Sequence, residues 1–442
     1  MMDPAEALPA PDRVGTQRGR GKWTTARIRH ANFDGVRLAL GATLITRLTV
    51  WAAAIGTIAI FGENGAARHL LDPFGVTPPI HSGLLKALLS PAARWDSVWY
   101  LQIAAHGYFS PASANFFPLY PLLVGLGAHV SGDAILAGLA ISLASTVAAL
   151  TLLYRLALLD LGRPAAQMTV MLVAVFPASL FLSAVYPTSL LLLLTVAAVY
   201  AGRRERWALA GLCGGLAAAT SSNGILTIFV LALMYLYGPR DRSPLRDRAG
   251  AWWRPRFPIE PQIAWLALVP AGLAIYLGYL TVAHGDPLAP YRAATNDWGH
   301  SFGPPLASII KALSALPGDL RAVVARATTS IGPGDPISWQ ARNLIDVAFL
   351  GVAVAALVAA WSRVPRAYVL FAVVQLAEVT SFPTDTEPMI GLARYLLPMF
   401  ALFMGAGAYL AERRTAARIT LVTSAVLLAL FSGLWAYWSL VP

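Results

Sequence analysis

Charged residues are scarce in this sequence. Asp, Glu, Lys and Arg make up only 12% of the 442 residues, whereas soluble domains carry roughly 25%. Hydrophobic residues reach 57%, and the mean hydropathy is +0.61. Apolar runs of about 20 residues, long enough to cross a bilayer, recur along nearly the whole chain. This composition excludes a single soluble globule and predicts an all-α polytopic membrane protein.

Cysteine is scarcer still, since Cys213 is the only one in the chain. A single cysteine excludes an intrachain disulfide and any metal site built from several cysteines. The seven histidines show no metal-ligand spacing such as H-x-x-x-H. Neither residue type therefore indicates a metal site in this sequence.

The chain divides into a tail and a single membrane domain. Residues 1–36 are polar and basic and lack the apolar core of a signal peptide, which indicates a disordered cytoplasmic tail. Residues 37–442 form the predicted transmembrane domain. The hydrophobic pattern predicts eleven helices, at residues 37–61, 133–157, 166–185, 187–202, 207–221, 223–238, 262–283, 343–362, 366–382, 391–411 and 417–438.

The distribution of basic residues predicts the orientation. The 33 basic and 22 acidic residues leave a net charge of +11, which in a soluble protein would suggest a nucleic-acid partner. In membrane proteins, however, Lys and Arg concentrate in cytoplasmic loops. With the N-terminus inside, 23 of the 33 basic residues fall on the cytoplasmic side. Topology thus accounts for the charge, and we predict membrane lipids and no nucleic acid as partners.

This orientation places two long segments, residues 62–132 and 284–342, on the same non-cytoplasmic face. It requires that the apolar stretch at residues 116–130 does not cross the membrane. That stretch contains two prolines and is short for a span, so we predict a re-entrant or surface helix there. The first outer loop is also rich in Trp, Tyr and Phe, which favours a structured site over disorder.

The densest group of chemically capable residues lies in the first outer loop, in the run RWDSVWYLQIAAHGY at 94–108. The carboxylate of Asp96 suits a general base that takes a proton from a hydroxyl. Its aromatic neighbours suit stacking on a sugar ring or anchoring at the depth of the lipid headgroups. They are Trp95, Trp99, Tyr100 and Tyr108. The alternative is an aromatic belt in which Asp96 simply pairs with Arg94.

The same run, together with FFPLYP at 116–121, resembles the mannosyltransferases of the phosphatidylinositol-glycan class V family, which include bacterial members. The resemblance covers nearly everything from about residue 40 onward. Other motifs of this kind are YPTSL at 186–190, GLAAATSSNG at 215–224, GDPLA at 285–289 with Trp298 after it, and ARYLLP at 393–398.

The resemblance implies a GT-C type glycosyltransferase of the inner (plasma) membrane, with about eleven transmembrane helices and two large non-cytoplasmic loops. It implies transfer of a sugar, usually mannose, from a polyprenyl-phosphate donor to a lipid or glycan acceptor on the periplasmic face, without a metal. The acidic residue of the family's first outer loop matches Asp96, which would be the base in an inverting displacement of the lipid phosphate. Trp298, His300 and Tyr395 are then expected in the donor or acceptor site.

A lipid-phosphate leaving group requires positive charge nearby, because negative charge grows there in the transition state. Arg394, near the outer start of the tenth predicted helix, is the first candidate, since an unpaired Arg is costly in a membrane. Its alternative role is to pair with a nearby carboxylate. The carboxylates considered are those of Glu378, Asp385 and Glu387.

Two further arginines are candidates for the phosphate. Arg47 lies about ten residues into the first predicted helix and could reach the same region. It could instead pair with Asp346 or Glu378. Arg94 is a third and more exposed option.

Two positions depart from the family pattern. Thr188 stands where a Glu is expected, and Ser221 stands where an Arg is expected. Either the two formed a pair whose joint loss is tolerated, or they bound substrate and this protein uses another acceptor or has lost activity.

Two other functions stay open. A transporter or flippase of lipid-linked sugars is favoured by the helices broken at residues 220–224, although the chain shows no internal repeat. A diverged, non-catalytic relative that binds lipid-linked sugars is suggested by Thr188 and Ser221. The intact motif around Asp96 speaks against that second alternative.

Overall fold

The computed structural model describes residues 25–78, 83–242, 254–325, 327–328 and 335–439. These residues form helices and no β-strand, which confirms the predicted all-α fold class. The α-helices, numbered in chain order, are α1 Thr25–Phe61, α2 Gly65–Leu71, α3 Leu84–Leu89, α4 Ser97–His106, α5 Leu119–Ser131, α6 Ala134–Leu161, α7 Arg163–Val175, α8 Thr188–Arg203, α9 Trp207–Ala218, α10 Thr227–Tyr237, α11 Leu268–His284, α12 Ala289–Arg292, α13 Ala307–Val324, α14 Trp339–Trp361, α15 Arg366–Val379, α16 Leu392–Leu396, α17 Phe400–Leu410 and α18 Arg414–Ala436. Short 3₁₀ segments are Ser90–Ala92, Pro111–Asn115, Pro177–Leu182, Ser222–Leu226 and Pro261–Ala267, and Ala293–Asp297 is a π-helical turn.

Every helix predicted from the hydrophobic pattern has a helical counterpart, but not all are long. Five described segments are long and apolar enough to cross a membrane, namely Phe33–Phe61, Ala134–Leu161, Pro261–His284, Trp339–Trp361 and Arg414–Ala436. The apolar helices α5, α8, α9 and α17 are shorter. The chain therefore has several helices able to span a membrane, and the number of eleven spans stays a prediction.

Two predicted helices are interrupted by proline. The helix predicted over residues 166–185 ends at Val175, because Pro177 holds Phe176 in an extended conformation with φ −51° and ψ 138°. The chain continues as the 3₁₀ segment Pro177–Leu182. Pro398 lies between α16 and α17, where Leu397 keeps a helical conformation and Met399 leaves it with φ −78° and ψ 61°. Both interruptions place irregular backbone inside the helical bundle.

The N-terminal boundary also differs from the prediction. Helix α1 begins at Thr25, so the predicted disordered tail does not extend to residue 36. Residues 1–24 lie outside the described residues. The segment predicted as the first outer loop contains helices α2, α4 and α5, which all lie between residues 62 and 132.

Glycines bring α9 into backbone contact with the 3₁₀ segment Pro261–Ala267 and with α11. A Cβ added to Gly211 would lie 2.0 Å from the carbonyl oxygen of Trp265, and one on Gly215 would lie 2.4 Å from that of Leu268. Glycines four residues apart on one helix face allow this close packing of membrane helices. The contact holds the end of α9, and with it the break at residues 219–226, beside the cavity described below.

Arg47 anchors the interrupted segment that follows α7. Its side chain is buried and donates hydrogen bonds to Oγ of Ser179 at 3.0 Å and to Oγ of Ser183 at 2.8 Å. It also donates to the carbonyl oxygens of Ser179 and Ala174. These hydrogen bonds offset the free-energy cost of burying a charged guanidinium in an apolar helix. The alternative that Arg47 pairs with Asp346 or Glu378 is therefore wrong.

Arg94 connects residues 90–94 to the segment that follows α18. It is fully buried and makes an ion pair with Glu63 at 3.2 Å. Its guanidinium lies 4.6 Å from the ring centroid of Trp438, whose Nε1 donates to the same Glu63. Burial lowers the pKa of Arg94 to about 10, with Glu63 opposing that shift, so the side chain stays charged at neutral pH. The predicted exposed position of Arg94 and its pairing with Asp96 are wrong.

Candidate functional site

Asp96 lies at the start of α4, and its carboxylate makes no hydrogen bond to that helix. The residue before it, Trp95, has φ +55°, a conformation that is strained for a bulky residue. Two contacts hold this turn: Nε1 of Trp95 donates to the carbonyl oxygen of Ser439 at 3.2 Å, and the Asp96 amide donates to the Tyr186 hydroxyl at 2.9 Å. The Asp96 side chain does not cap its own helix and is available to other partners.

The partner of Asp96 is Arg394 on α16. Nη1 of Arg394 lies 2.7 Å from Oδ2 of Asp96, and Nη2 donates to the Tyr395 hydroxyl at 3.2 Å. The guanidinium also lies 5.3 Å from the ring centroid of Tyr186 and 4.9 Å from that of Tyr395. The two side chains of the ion pair are 21% and 27% exposed, so a ligand can reach both of them.

The carboxylates proposed from sequence as alternative partners of Arg394 are occupied elsewhere. Asp385 is paired with Lys311 at 2.7 Å. Glu378 accepts hydrogen bonds from Ser222 and Asn223. Arg394, predicted as a functional cation, is thus paired with Asp96. The sequence did not indicate this partner.

The ion pair lines a cavity of about 710 Å³. Its polar lining side chains are Asp96, Asn115, Thr188, Thr220, Ser221, Ser222, His300, Glu378, Thr380 and Arg394. Its aromatic lining side chains are Trp95, Trp99, Tyr100, Phe116, Phe117, Phe181, Tyr186, Tyr291, Trp298, Phe382, Tyr395 and Trp435. A concave apolar and aromatic site with a few converging polar groups is typical of a small-molecule binding site.

One wall of the cavity is a cluster of aromatic rings from both of the predicted outer loops. Trp99 stacks on Phe116 with ring centroids 5.5 Å apart and an interplanar angle of 7°. Trp298 lies edge-on to both rings at 5.3 Å, and its Nε1 donates to the carbonyl oxygen of Ala112 at 3.1 Å. The second predicted outer loop is therefore packed against the first through Trp298. Trp99 is stacked between Phe116 and Phe109, so these rings give the cavity an apolar wall.

Two buried tyrosines lie beside Asp96 and stay protonated. Burial, followed by the charge of Asp96, raises the pKa of the Tyr100 and Tyr186 hydroxyls well above their ordinary value. Neither phenol can serve as a base at neutral pH. Among the described lining residues, the carboxylates of Asp96 and Glu378 are therefore the groups suited to accept a proton. His300 also lines the cavity, and its Nδ1 lies 2.9 Å from the carbonyl oxygen of Phe382, within hydrogen-bond distance.

The structure brings most of the predicted site residues into this cavity. Those lining it are Trp95, Asp96, Trp99, Tyr100, Trp298, His300, Arg394 and Tyr395. Arg47, Arg94 and Tyr108 do not line it. Tyr108 instead donates to the carbonyl oxygen of Phe116 at 2.6 Å and packs against Tyr276, so it supports the aromatic wall from behind.

Sequence reasoning missed several lining residues. Tyr186 belongs to a motif that was recognised, but its contact with the Asp96 amide depends on the turn after Pro177. Glu378 was considered only as a partner of an arginine. Thr188 and Ser221, the two departures from the family pattern, both line the cavity.

A buried pair of carboxyl groups lies next to the cavity-lining segment. Asp346 and Glu387 are both fully buried and face each other, with the Arg342 guanidinium nearby. Arg342 is also paired with Asp335. Ionisation of both carboxyl groups is unfavourable, because two negative charges this close together repel each other. Burial raises the pKa of Glu387 to about 7, although the charge of Arg342 opposes the shift.

Glu387 should therefore make the stability of the protein depend on pH. The folded state binds a proton more tightly than the unfolded state, so the free energy of unfolding should fall as pH rises from about 4.5 to about 7. A Glu387→Gln variant carries no such charge, and we expect it to be more stable than wild type at pH 8 by about 2 kcal/mol. Thermal unfolding in detergent at pH 5 and pH 8 measures the difference. Parallel pH curves for the two proteins would contradict this expectation.

The described residues contain no group of three or more His, Cys, Asp or Glu placed to bind a metal ion. What the cavity offers is one ion pair, one further carboxylate and an aromatic surface. Chemically, this set can bind an anion at Arg394, accept a proton at a carboxylate and stack a ring.

Residues 43–238 match the family model described as Mannosyltransferase (PIG-V), which confirms the predicted resemblance over that range. Curated relatives include GPI alpha-1,6-mannosyltransferase 2 of Rattus norvegicus, 34% identical over 176 residues that cover 36% of each chain. The enzyme of the same name from Cricetulus griseus is 35% identical over 160 residues, 33% of this chain and 32% of the relative. The chain thus matches about a third of the length of these relatives.

A solved structure also shows a distant likeness. It is the Archaeoglobus fulgidus oligosaccharyltransferase, 12% identical, with a TM-score of 0.43 over 91% of this chain and 56% of that one. This level of similarity is too low to establish a shared fold.

Proposed function

Because residues 43–238 match the PIG-V mannosyltransferases, we propose that this protein is a membrane glycosyltransferase of the GT-C type. In this proposal it transfers mannose from a polyprenyl-phosphate donor to a lipid or glycan acceptor, without a metal or other cofactor. The observation that carries the proposal is the Asp96–Arg394 ion pair at 2.7 Å in an aromatic-lined cavity. This reaction needs a base on one side of the anomeric carbon and a phosphate-binding cation on the other, and Asp96 and Arg394 supply both groups to one cavity.

Arg394 is proposed to bind the donor phosphate. It is the only Arg or Lys among the described residues that line the cavity, and its guanidinium geometry suits a phosphate. The phosphate then takes the place of Asp96 as the principal anionic partner of Arg394. The charge that develops on the leaving phosphate is stabilised by the same guanidinium.

Asp96 is proposed to be the base. Within the described residues, Arg394 is the one side chain that donates to its carboxylate, so release of Arg394 to the phosphate frees the carboxylate to accept a proton. The acceptor hydroxyl loses that proton to Asp96, and its oxygen forms the new bond to the anomeric carbon. The bond between that carbon and the phosphate oxygen breaks on the opposite side, with inversion, and polyprenyl phosphate leaves.

The proposed location is the inner (plasma) membrane, with the cavity on the non-cytoplasmic side. Two kinds of support bear on it: the basic residues concentrate in the segments assigned to the cytoplasm, and several helices are able to span a membrane. Asp96, Trp298 and His300 come from the two segments that this orientation places outside.

The donor class can be tested directly. Membranes that contain the protein should transfer radiolabelled mannose from polyprenyl-phosphate mannose into a lipid or glycan fraction, whereas membranes without the protein should not. Nucleotide-linked mannose, added with an inhibitor of polyprenyl-phosphate mannose synthesis, should give no product. Transfer from the nucleotide donor alone would overturn the proposed donor class.

A transporter or flippase is the second candidate, and the interrupted backbone favours it. The breaks at residues 176–187 and 219–226 both border the cavity, as broken helices do in many transporters. Proteoliposomes loaded with the labelled donor distinguish the two functions. Movement of the donor across the bilayer without a new glycosidic bond would favour transport, and bond formation would favour the transferase.

A further inference from the structure

Glu378 presents a second carboxylate to the cavity, on the wall formed by α15 and the break after α9. Oε2 of Glu378 accepts a hydrogen bond from Nδ2 of Asn223 at 3.0 Å, and Oε1 accepts one from Oγ of Ser222 at 3.2 Å. The side chain is partly exposed and lines the cavity. Neither the catalytic pair nor the aromatic wall requires it.

The carboxylate is held in a fixed orientation by a short chain of hydrogen bonds. Nε2 of Gln375 donates to Oδ1 of Asn223 at 2.7 Å. This bond fixes the amide of Asn223 so that its nitrogen faces Glu378. Each carboxylate oxygen can accept a further hydrogen bond, so both retain capacity for a donor group that enters from the cavity.

Charge limits what can bind beside Glu378. No Arg, Lys or His of the described residues makes an ion pair with it, and Thr188 and Ser221, which line the same cavity, are neutral. The lone cation of the described lining, Arg394, is engaged with Asp96. A second anionic group, such as a phosphate, would be repelled there, whereas a group that donates hydrogen bonds would be attracted.

We propose that Glu378 and Ser222 form a specificity-determining subsite that binds hydroxyl groups of a sugar, separate from the Asp96–Arg394 pair. The subsite rests on the proposed glycosyltransferase function. The sugar belongs either to the acceptor or to the donor, and the KM values of the two substrates distinguish these sources. Glu378 positions the sugar and takes no part in proton transfer.

The experiment measures kcat and both KM values for Glu378→Gln and Glu378→Ala. Gln keeps an oxygen that accepts from Asn223 but loses the charge, so we expect the KM of one substrate to rise about tenfold with kcat changed less than about threefold. Ala should raise the same KM about a hundredfold. The substrate whose KM rises is the one that carries the recognised hydroxyls.

Gln375→Met is the companion variant for stability, and because it frees the Asn223 amide it should also raise the same KM, by less than Glu378→Ala does. It removes the hydrogen bond to Asn223 from the side away from the cavity, and Gln375 does not line the cavity. If Glu378 merely tied α15 to the break after α9, then Gln375→Met and Glu378→Ala should lower the melting temperature alike, and Glu378→Gln should keep both wild-type KM values. That outcome would overturn the subsite. An inactive wild-type protein would instead overturn the proposed function.

Discussion

Replacement of Asp96 by Asn is expected to lower the turnover number by about a hundredfold to ten-thousandfold. Asn has nearly the shape of Asp but cannot accept the proton of an acceptor hydroxyl. The backbone contact that holds this turn, from the Asp96 amide to the Tyr186 hydroxyl, does not involve the carboxylate and should persist. The loss should therefore appear in kcat rather than in the amount of folded protein.

The same substitution should leave donor binding intact or strengthen it. In wild type the donor phosphate competes with Asp96 for the Arg394 guanidinium. In Asp96→Asn that competition is weaker, so the inhibition constant of free polyprenyl phosphate should stay the same or fall. A merely misfolded variant would show weaker inhibition.

Asp133→Asn provides the matched control for Asp96→Asn. The Asp133 side chain caps α6 by accepting from the amides of Ile135 and Leu136, a role that Asn fills equally well. Asp133 does not line the cavity, so transfer by this variant should equal wild type. If Asp96→Asn transferred mannose within threefold of Asp133→Asn, Asp96 would not be the base.

The second large effect is expected at Arg394. Replacement by Gln removes the cation that is proposed to bind the phosphate in the ground state and in the transition state, so kcat/KM for the donor should fall by about a hundredfold to a thousandfold. Replacement by Lys keeps the charge but not the planar fork, and we expect only part of this loss. Unlike Asp96→Asn, Arg394→Gln should raise the inhibition constant of polyprenyl phosphate about tenfold or more.

Arg242→Gln is a suitable control for Arg394→Gln. Arg242 makes exposed ion pairs with Glu205 and Glu260 and does not line the cavity. Surface pairs of this kind contribute little to stability, so the variant should match wild type in both kinetics and melting temperature. Equal inhibition of wild type and Arg394→Gln by polyprenyl phosphate would show that the phosphate binds elsewhere.

The arginine candidates show where sequence reasoning reached its limit. Arg47, Arg94 and Arg394 are each flagged by the same argument, that a charge in or near a bilayer needs a partner. The structure gives the three quite different partners: serine hydroxyls and carbonyls for Arg47, Glu63 for Arg94 and Asp96 for Arg394. The ion pair of Arg394 joins residues 298 positions apart, and no local pattern specifies such a pairing.

Helix boundaries show a similar limit. The structure has a helix at each place where an apolar run predicts one, because a helix buried in lipid or in the bundle needs hydrophobic residues along its whole length. The apolar runs did not locate the break after Val175, although Pro177 was visible. A proline permits either a kink or a break, and the choice here depends on Arg47, whose guanidinium binds the polar groups that the break exposes.

The sequence by itself determined the all-helical membrane architecture and the first-loop motif around Asp96, because hydrophobicity and local motif spacing are properties of continuous segments. It also placed Trp298, His300, Arg394 and Tyr395 among the candidates. Only the tertiary structure decided which of these side chains share one cavity, that Asp96 faces Arg394, and that Glu378 adds a second carboxylate. The physical reason is that the partner of a charged side chain is the group that lies closest to it in the packed bundle, and that group can come from a distant part of the sequence.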